Sequence, residues 1–288
     1  MADGQFGNIT MGIGAIIQVR YDSSRLPGKA LLELPYMSGK SVLANIVERL
    51  QQVKDLKIII ATSIESSDDP IADEAEKLGV PLFRGSKDDV LLRFSEAAKA
   101  HDLHTVVRIT GDNPIVFKEI IEKNIQYHIN GGYDYTRNIN MPYGTSFEIV
   151  SAAALEKILQ NSNNIDDREH VTLYIKRNSE MFKIAEQNHF PDTEFPDVRL
   201  TVDYPSDYAA LNIIMTYLDN LEDYNTETVF KFLAENSWIK RINNSNMQKK
   251  QFNNLYDELN YAIVLAEQLD LKYLKLELET IKARNIKY

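Results

Sequence analysis

Near the start of the chain, Arg20-Tyr21-Asp22-Ser23-Ser24-Arg25-Leu26-Pro27-Gly28-Lys29 gathers three cations, two serines and a glycine into one short stretch. Arginine and lysine neutralise phosphate charge, and a flexible Ser/Gly backbone supplies N–H donors that cradle phosphate oxygens. A triphosphate needs that combination. An ordinary solvated basic loop has the same composition, so position must decide between the two readings. The complementary chemistry comes from two aspartates, one in Thr110-Gly111-Asp112-Asn113-Pro114 and one in Leu200-Thr201-Val202-Asp203-Tyr204-Pro205. Each follows an apolar, strand-like run. A carboxylate at a strand end suits Mg2+, which takes one or two carboxylates and completes its shell with water and phosphate oxygens. For Asp112 the alternative is a plain Asp-Asn-Pro turn. Asp207 is expected in the first turn of a helix, where negative charge is favourable. Ser38-Gly39-Lys40-Ser41 imitates the end of a P-loop, but Leu34 stands where that motif requires glycine. It reads instead as a turn and helix N-cap.

The elements that must hold these residues follow from hydrophobic periodicity. Residues 14–19 (GAIIQV) read as a buried strand and 41–53 as an amphipathic helix. Residues 57–62 (KIIIAT) form a second strand, followed by a helix over 71–78 that stops at Gly79. A strand at 80–83, a helix at 89–100, a strand at 105–109 (TVVRI) and a helix at 117–130 continue the alternation. This pattern predicts an α/β fold with a mostly parallel sheet and helices on both faces. Ligands then bind beyond the carboxyl ends of the strands, which selects the loops after Val19, Thr62, Phe83 and Ile109 and favours phosphate binding by residues 20–29. After Tyr133 the alternation loosens. Strands are expected at 147–150, 182–185 and 198–202, and helices at 152–160, 169–177, 206–221 and 226–235. The asparagine-rich stretch 243–246 reads as a linker, and the proline-free stretch 252–286 as an appended helical hairpin. The expected organisation is one domain over 11–242 and a helical extension over 247–288.

With 32 Lys and Arg against 42 Asp and Glu, the 288-residue chain carries a net charge of −10. That balance repels a phosphate backbone, so no nucleic-acid partner is expected and an anionic substrate must be met by a local basic cluster. There are no cysteines, which excludes disulfides, thiolate metal ligands and cysteine nucleophiles. No run approaches the roughly 18 apolar residues of a membrane span, and residues 1–10 lack the order of a secretory signal. No membrane partner and a cytoplasmic setting are expected.

The stretch from Gln18-Val19-Arg20 through Ser23-Ser24-Arg25-Leu26-Pro27-Gly28-Lys29 resembles the opening signature of the CMP-sugar-synthetase-like cytidylyltransferases, and most closely their spore coat polysaccharide branch. Further matching motifs follow in the family's order. They are Phe83-Arg84-Gly85-Ser86-Lys87-Asp88-Asp89-Val90-Leu91, Arg108-Ile109-Thr110-Gly111-Asp112-Asn113-Pro114, Arg168-Glu169-His170-Val171-Thr172 and Leu200-Thr201-Val202-Asp203. The resemblance implies a Rossmann-like, GT-A-related fold and a reaction in which CTP and an acceptor give a CMP-linked product and pyrophosphate. It implies that Arg20, Ser23, Ser24, Arg25 and Lys29 hold the triphosphate and that Asp112 and Asp203 bind Mg2+. Lys29, Arg20, Asp112 and Asp203 would carry catalysis. Thr62, Arg84, Ser86 and Thr110 would lie beside the nucleotide. Tyr143, Glu148, Arg168 and His170 would line the acceptor side, and the molecule would be a homodimer. Asp22 departs from the family's usual glycine, Asn113 from a frequent cysteine, and the helical extension has no counterpart in the family core.

The expected chemistry is in-line attack by an oxygen of a small anionic acceptor (a sugar acid, or a phosphorylated or phosphonylated molecule) on the α-phosphorus of CTP. A phosphate or phosphonate acceptor is already ionised and needs no general base. A hydroxyl acceptor needs one, and the sequence assigns that role to neither His170 nor Glu148. The choice of cytosine rests on the resemblance alone. Two rivals stand beside this reading. A GT-A-like glycosyltransferase would carry a D-x-D pair, where this chain has Asp112-Asn113-Pro114. A non-catalytic nucleotide-binding protein would have no need of both aspartates and all three cations.

Overall fold

Ile13–Gln18 (β1) buries four successive side chains, as a strand covered on both faces must. In the computed structural model, which describes residues 12–23, 25–191, 198–221, 223–246 and 254–285, β1 is an interior strand of a seven-stranded sheet. The N-terminal lead at 1–10 and Ser24 lie outside the described residues. Val42–Leu50 (α1) follows β1, with Ser41 as its N-cap: Ser41 Oγ accepts from the Ala44 N–H at 2.9 Å. The look-alike P-loop is therefore a turn and a cap, as its sequence indicates. Lys57–Ser63 (β2), Asp69–Lys77 (α2), Leu82–Gly85 (β3), Val90–Ala100 (α3), Thr105–Thr110 (β4) and Lys118–Gly131 (α4) complete the alternating half. β1 pairs in parallel with β2 on one side and β4 on the other, and β2 pairs in parallel with β3.

The second half reverses direction. Glu148–Ser151 (β6) lies antiparallel to β4, Tyr135–Ile139 (β5) is antiparallel to β6, and Ile184–Asn188 (β7) is parallel to β5. The sheet order is β3-β2-β1-β4-β6-β5-β7. Strand side chains alternate between two cores. Ile17, Ile60, Val107 and Ile149 join one with α1, α4, Pro205–Leu218 (α8) and Thr226–Glu235 (α9). Ile16, Ile59, Val106 and Val150 join the other with α3, Ala152–Asn161 (α5) and Leu173–Arg177 (α7). The mostly parallel, helix-sandwiched Rossmann-like sheet expected from the sequence is the one observed.

Several local expectations are corrected. β5 has no counterpart in the sequence reading. The third strand runs from Leu82 rather than Val80. The single helix over 169–177 is two short ones, Ile165–Glu169 (α6) and α7, broken where Val171 takes a φ of 45°. Residues 198–202 are not a sheet strand, and their contact is an isolated bridge between Arg199 and Tyr143. Asn243 is no linker residue: it is buried and donates to Arg199 O and Asp207 Oδ1, both at 3.0 Å.

The chain divides into two compact units, Met1–Ser245 and Asn246–Tyr288. Within the second, Leu255–Gln268 (α10) and Lys272–Asn285 (α11) pack on each other as a hairpin.

Gly144 shows how tightly the 200–203 segment is held. Its φ is +93°, and a Cβ there would lie 2.5 Å from the Leu200 carbonyl carbon. Gly144→Ala combines a disfavoured backbone with a backbone clash and is expected to cost about 3 kcal/mol or more in urea denaturation.

Candidate active site

Beyond the carboxyl end of β1 the chain folds back on itself. Gly28, at φ +68°, donates its N–H to Tyr21 O at 3.0 Å, and a Cβ there would press on the Tyr21 ring at 3.2 Å. Asp68, almost wholly buried before α2, accepts from Tyr21 N at 2.7 Å and from Ser63 N at 3.0 Å. Burial works to raise the Asp68 pKa, but the Ser63 hydroxyl, which also donates to it, and these backbone donors outweigh it and hold the carboxyl below its usual range. Asp68 thus ties the basic loop to the end of β2.

The second segment arrives from β4. Gly111 donates to Gln18 O at 2.8 Å, and a Cβ at this position would lie 2.7 Å from Val19 Cβ. Glycine therefore lets the two loops touch and sets Asp112 beside the β1 loop. The third segment is laid alongside by backbone pairing, with Val202 N donating to Asp112 O at 2.8 Å and Leu200 N to Tyr143 O at 2.7 Å. Asp203 follows directly. Its surroundings are fixed by Asp207 in the first turn of α8, where the sequence puts it. The Asp207 carboxylate takes a two-pronged bond from Arg199, 3.0 Å at each contact, and also accepts from the Asp203 and Tyr204 N–H groups.

These three segments bring Lys29, Asp112 and Asp203 together. Lys29 Nζ lies 2.6 Å from Asp112 Oδ2 and 2.7 Å from Asp203 Oδ1, and Arg25 Nη2 lies 2.8 Å from the same Asp203 oxygen. Burial acts to lower the Lys29 pKa, yet the two carboxylates outweigh it and hold it above the ordinary value. Burial likewise acts to raise Asp203, and Lys29 with Arg25 holds it low. The two carboxylates converge on one cationic site. Among the described residues no group of three or more His, Cys, Asp or Glu could hold a metal. Two hard oxygen donors without a third protein ligand suit Mg2+, which draws its remaining ligands from water and phosphate.

Beside the cluster opens a cavity of about 690 Å³. Arg25, Thr110, Asp112 and Asp203 line it together with Asn113, Asn138, Asn140, Tyr143, Ser146 and His170. The His170 side chain has no hydrogen-bond partner among the described residues. Thr62, Arg84, Ser86, Glu148 and Arg168 do not line this cavity. Thr62 is fully buried within the sheet. Arg84 bonds Ser63 O, Glu65 O and Asp69, at 2.7–2.9 Å. The Ser86 hydroxyl accepts from Asp89 N, and Arg168 pairs with Asp89 at 3.1 Å while donating to the Ser162 and Leu159 carbonyls. Asp22, exposed, lies 3.7 Å from Lys87. Ser24 is outside the described residues.

Glu148 is the centre of a separate network. Its carboxylate accepts from Arg108 and Lys176, both at 2.8 Å, from Thr172 and from the Tyr135 hydroxyl. Burial acts to raise its pKa, but the two cations override it and push it down to about 2. Arg108 also reaches Gln18 at 3.2 Å, so the network links the end of β1 to the turn that carries His170. Such a carboxylate is a brace and a poor proton acceptor. Asp68, Arg199 and Asn243 are the positioning residues that sequence reasoning missed. Their partners lie far along the chain, or carry no motif, so no local spacing marks them.

A family model described as cytidylyltransferase matches residues 14–265. The chain belongs to the cytidylyltransferase family. The spore coat polysaccharide biosynthesis protein SpsF of Bacillus subtilis is 34% identical over 227 residues, covering 77% of this chain and 93% of that protein. An uncharacterized protein of Methanocaldococcus jannaschii is 37% identical over 243 residues, covering 84% of this chain and 98% of its own length. The solved structure of a cytidylyltransferase from Leptospira borgpetersenii superposes with a TM-score of 0.73 at 28% identity, covering 84% of this chain and all of the other. The family resemblance read from the motifs is thereby shown, and with it the nucleotidyltransferase fold. Among the described residues no helix is long and apolar enough to cross a membrane.

Glu148 sets an acid limb on stability. A carboxyl that titrates near 2 in the folded chain and near 4.5 unfolded adds stability above pH 4.5 that is lost as pH falls towards 2. The gain at neutral pH is about 3 kcal/mol at most. Glu148→Gln is expected to flatten the stability profile across that window, as measured by denaturant titration at a series of pH values.

Proposed function

We propose that this cytidylyltransferase transfers CMP from CTP to a small anionic acceptor in a Mg2+-dependent reaction. The acceptor is a sugar acid or a phosphorylated or phosphonylated small molecule. The observation that carries the reading is the convergence of Lys29, Arg25, Asp112 and Asp203, the last three of which line the cavity. The Bacillus relative's place in spore coat polysaccharide biosynthesis fits an acceptor of the saccharide kind. The resemblance carries with it a homodimer and a cytoplasmic setting.

An acceptor oxygen attacks the α-phosphorus, a new P–O bond forms, and the bond to the β-phosphate bridging oxygen breaks to release pyrophosphate. Anion meets anion, so the barrier is positional and electrostatic. Asp112 and Asp203 would hold the Mg2+, which when bound neutralises charge on the phosphates and on the leaving group. Arg25 and Lys29 balance those two carboxylates, so the four side chains together are neutral. With a metal held by the carboxylates, the Arg25 and Lys29 charges would be available to phosphate. Arg20 adds a cation to the same loop, and Tyr143, Ser146 and the asparagines offer neutral hydrogen-bonding groups to the acceptor. An ionised phosphate, phosphonate or carboxylate acceptor needs no proton removed. For a hydroxyl acceptor, His170 is the cavity-lining base.

The test is incubation with CTP, Mg2+ and a panel of acceptors, with pyrophosphate release followed and CMP-linked products detected by mass. Asp112→Asn and Asp203→Asn are each expected to lower turnover by about 10²–10³, the scale set by losing one preorganised electrostatic group. CTP binding without pyrophosphate from any acceptor would sink the proposal.

A further inference from the structure

Two guanidinium groups, one just after β1 and one on α3, make no ion pair among the described residues, in a chain that is strongly acidic. Arg20 follows β1 and has no hydrogen-bond or ion-pair partner among the described residues. Arg93, on the first turn of α3, is wholly buried. One of its nitrogens, Nη1, donates to Ser86 O and, at 3.5 Å, to Lys87 O, while Nε and Nη2 have no partner. Among the described residues it makes no ion pair; Arg20 repels it, while Asp68 and Asp89 attract it from beyond ion-pair distance. Burial and that repulsion push its pKa down to about 10. The side chain fits here because residue 85 is glycine: a Cβ would stand 3.0 Å from Arg93 Cγ.

A buried, incompletely bonded cation is a destabilising arrangement. An unpaired buried group in a folded protein calls for a reason. The backbone it holds supplies one. In a trans peptide the carbonyl and the following N–H point in opposite directions. With the Ser86 and Lys87 carbonyls turned to Arg93, the N–H groups of Lys87 and Asp88 face away from it, and neither has a partner among the described residues. The Lys87 ammonium lies 3.7 Å from Asp22, so this turn adjoins the loop after β1. Two consecutive N–H groups without a partner among the described residues, beside a cationic loop, are donors that an anion can take up.

We infer that Arg93 is a positioning residue for the nucleotide. It turns the 86–88 backbone so that its amides face the ligand, beside the Arg20 guanidinium. This inference rests on the cytidylyltransferase reading. A purely structural Arg93 would make a different signature, because its loss would lower stability and leave nucleotide affinity alone.

The experiment compares the full chain with Arg93→Met and Arg93→Lys. It reads the melting temperature without nucleotide, the calorimetric Kd for CTP with Mg2+, and KM against kcat for pyrophosphate release. In Arg93→Met the Kd and KM for CTP are expected to rise about tenfold, the equivalent of one charge-assisted hydrogen bond, with kcat within about threefold. The melting temperature should hold or rise, because an uncompensated buried charge is gone. Arg93→Lys, which keeps the charge but lacks the fork, should recover part of the affinity. CTP affinity within twofold of wild type in Arg93→Met would overturn the inference, as would a lower melting temperature with KM unchanged. If Arg93→Met does not fold, Arg93→Lys decides, and a wild-type KM in that variant overturns the role. A wild-type chain that neither binds CTP nor releases pyrophosphate would overturn the underlying reading as well. A working wild type with indifferent variants removes only Arg93.

Discussion

The Lys29 ammonium, held between the carboxylates of Asp112 and Asp203, joins segments 83 and 174 residues distant along the chain. Lys29 and Asp203 are largely shielded from water. Removing ions from water is costly, and it is tolerated where geometry and partners repay it. Here each charge is answered, since Arg25 and Lys29 face Asp203, and Lys29 also faces Asp112. The cluster can exist only if the three loops arrive in register. That demand explains the glycine at 111, the glycine at 144 and the backbone bonds between residues 112 and 202 and between residues 143 and 200. Each removes bulk or adds a tether where one loop must lie against another.

Behind the cluster stands a second layer that never reaches the cavity. Asp207, fully buried, collects Arg199, Asn243 and two backbone amides, and so fixes the turn from which Asp203 projects. Asp68 does the same for the β1 loop, and Glu148 for the turn that carries His170. All three are carboxylates that accept several donors while screened from bulk water. Such hydrogen bonds are stronger there than in solution and specify one arrangement. The division is physical. Groups meant to exchange partners during turnover line the cavity, and groups meant to stay fixed are saturated behind it.

The alternating half of the fold was legible because each strand buried on both faces reads as an apolar run, and each helix carries a stripe of apolar residues with a cap or a glycine at its end. Asp112 and the basic loop were legible for the same reason, since the strand-end rule depends only on locating β1 and β4. The second half was harder. β5 is a short strand whose burial alternates along TRNI, and its polar residues Thr136 and Asn138 point inward to His128 and Asn124. No hydrophobic run announces it. Residues 198–202 look like a strand by composition, yet their backbone donors go to single carbonyls on two loops. Asn243 looked like linker material because asparagine favours loops, and only its distant partners, Arg199 and Asp207, make it a core residue. For Asn243 and for residues 198–202 the deciding partner lies tens of residues away.

Charge distribution closes the account. The chain carries −10 overall, and a triphosphate approaching it meets repulsion everywhere except where cations outnumber carboxylates. The four side chains of the central cluster sum to zero, so they cannot by themselves draw in a highly charged anion. Two things break that balance. On the proposed reading, a divalent cation that took the carboxylates would free Lys29 and Arg25 for phosphate, and Arg20, which has no ion-pair partner among the described residues, adds a further positive charge. A site built in this way would have little attraction for phosphate without metal and a strong one with it. Away from the cluster the cavity is lined by asparagine, serine and tyrosine, which offer hydrogen bonds without charge. On the proposed reading, an acceptor seated there would be held by hydrogen bonds, and the positive field would be left to the phosphates whose bond must break.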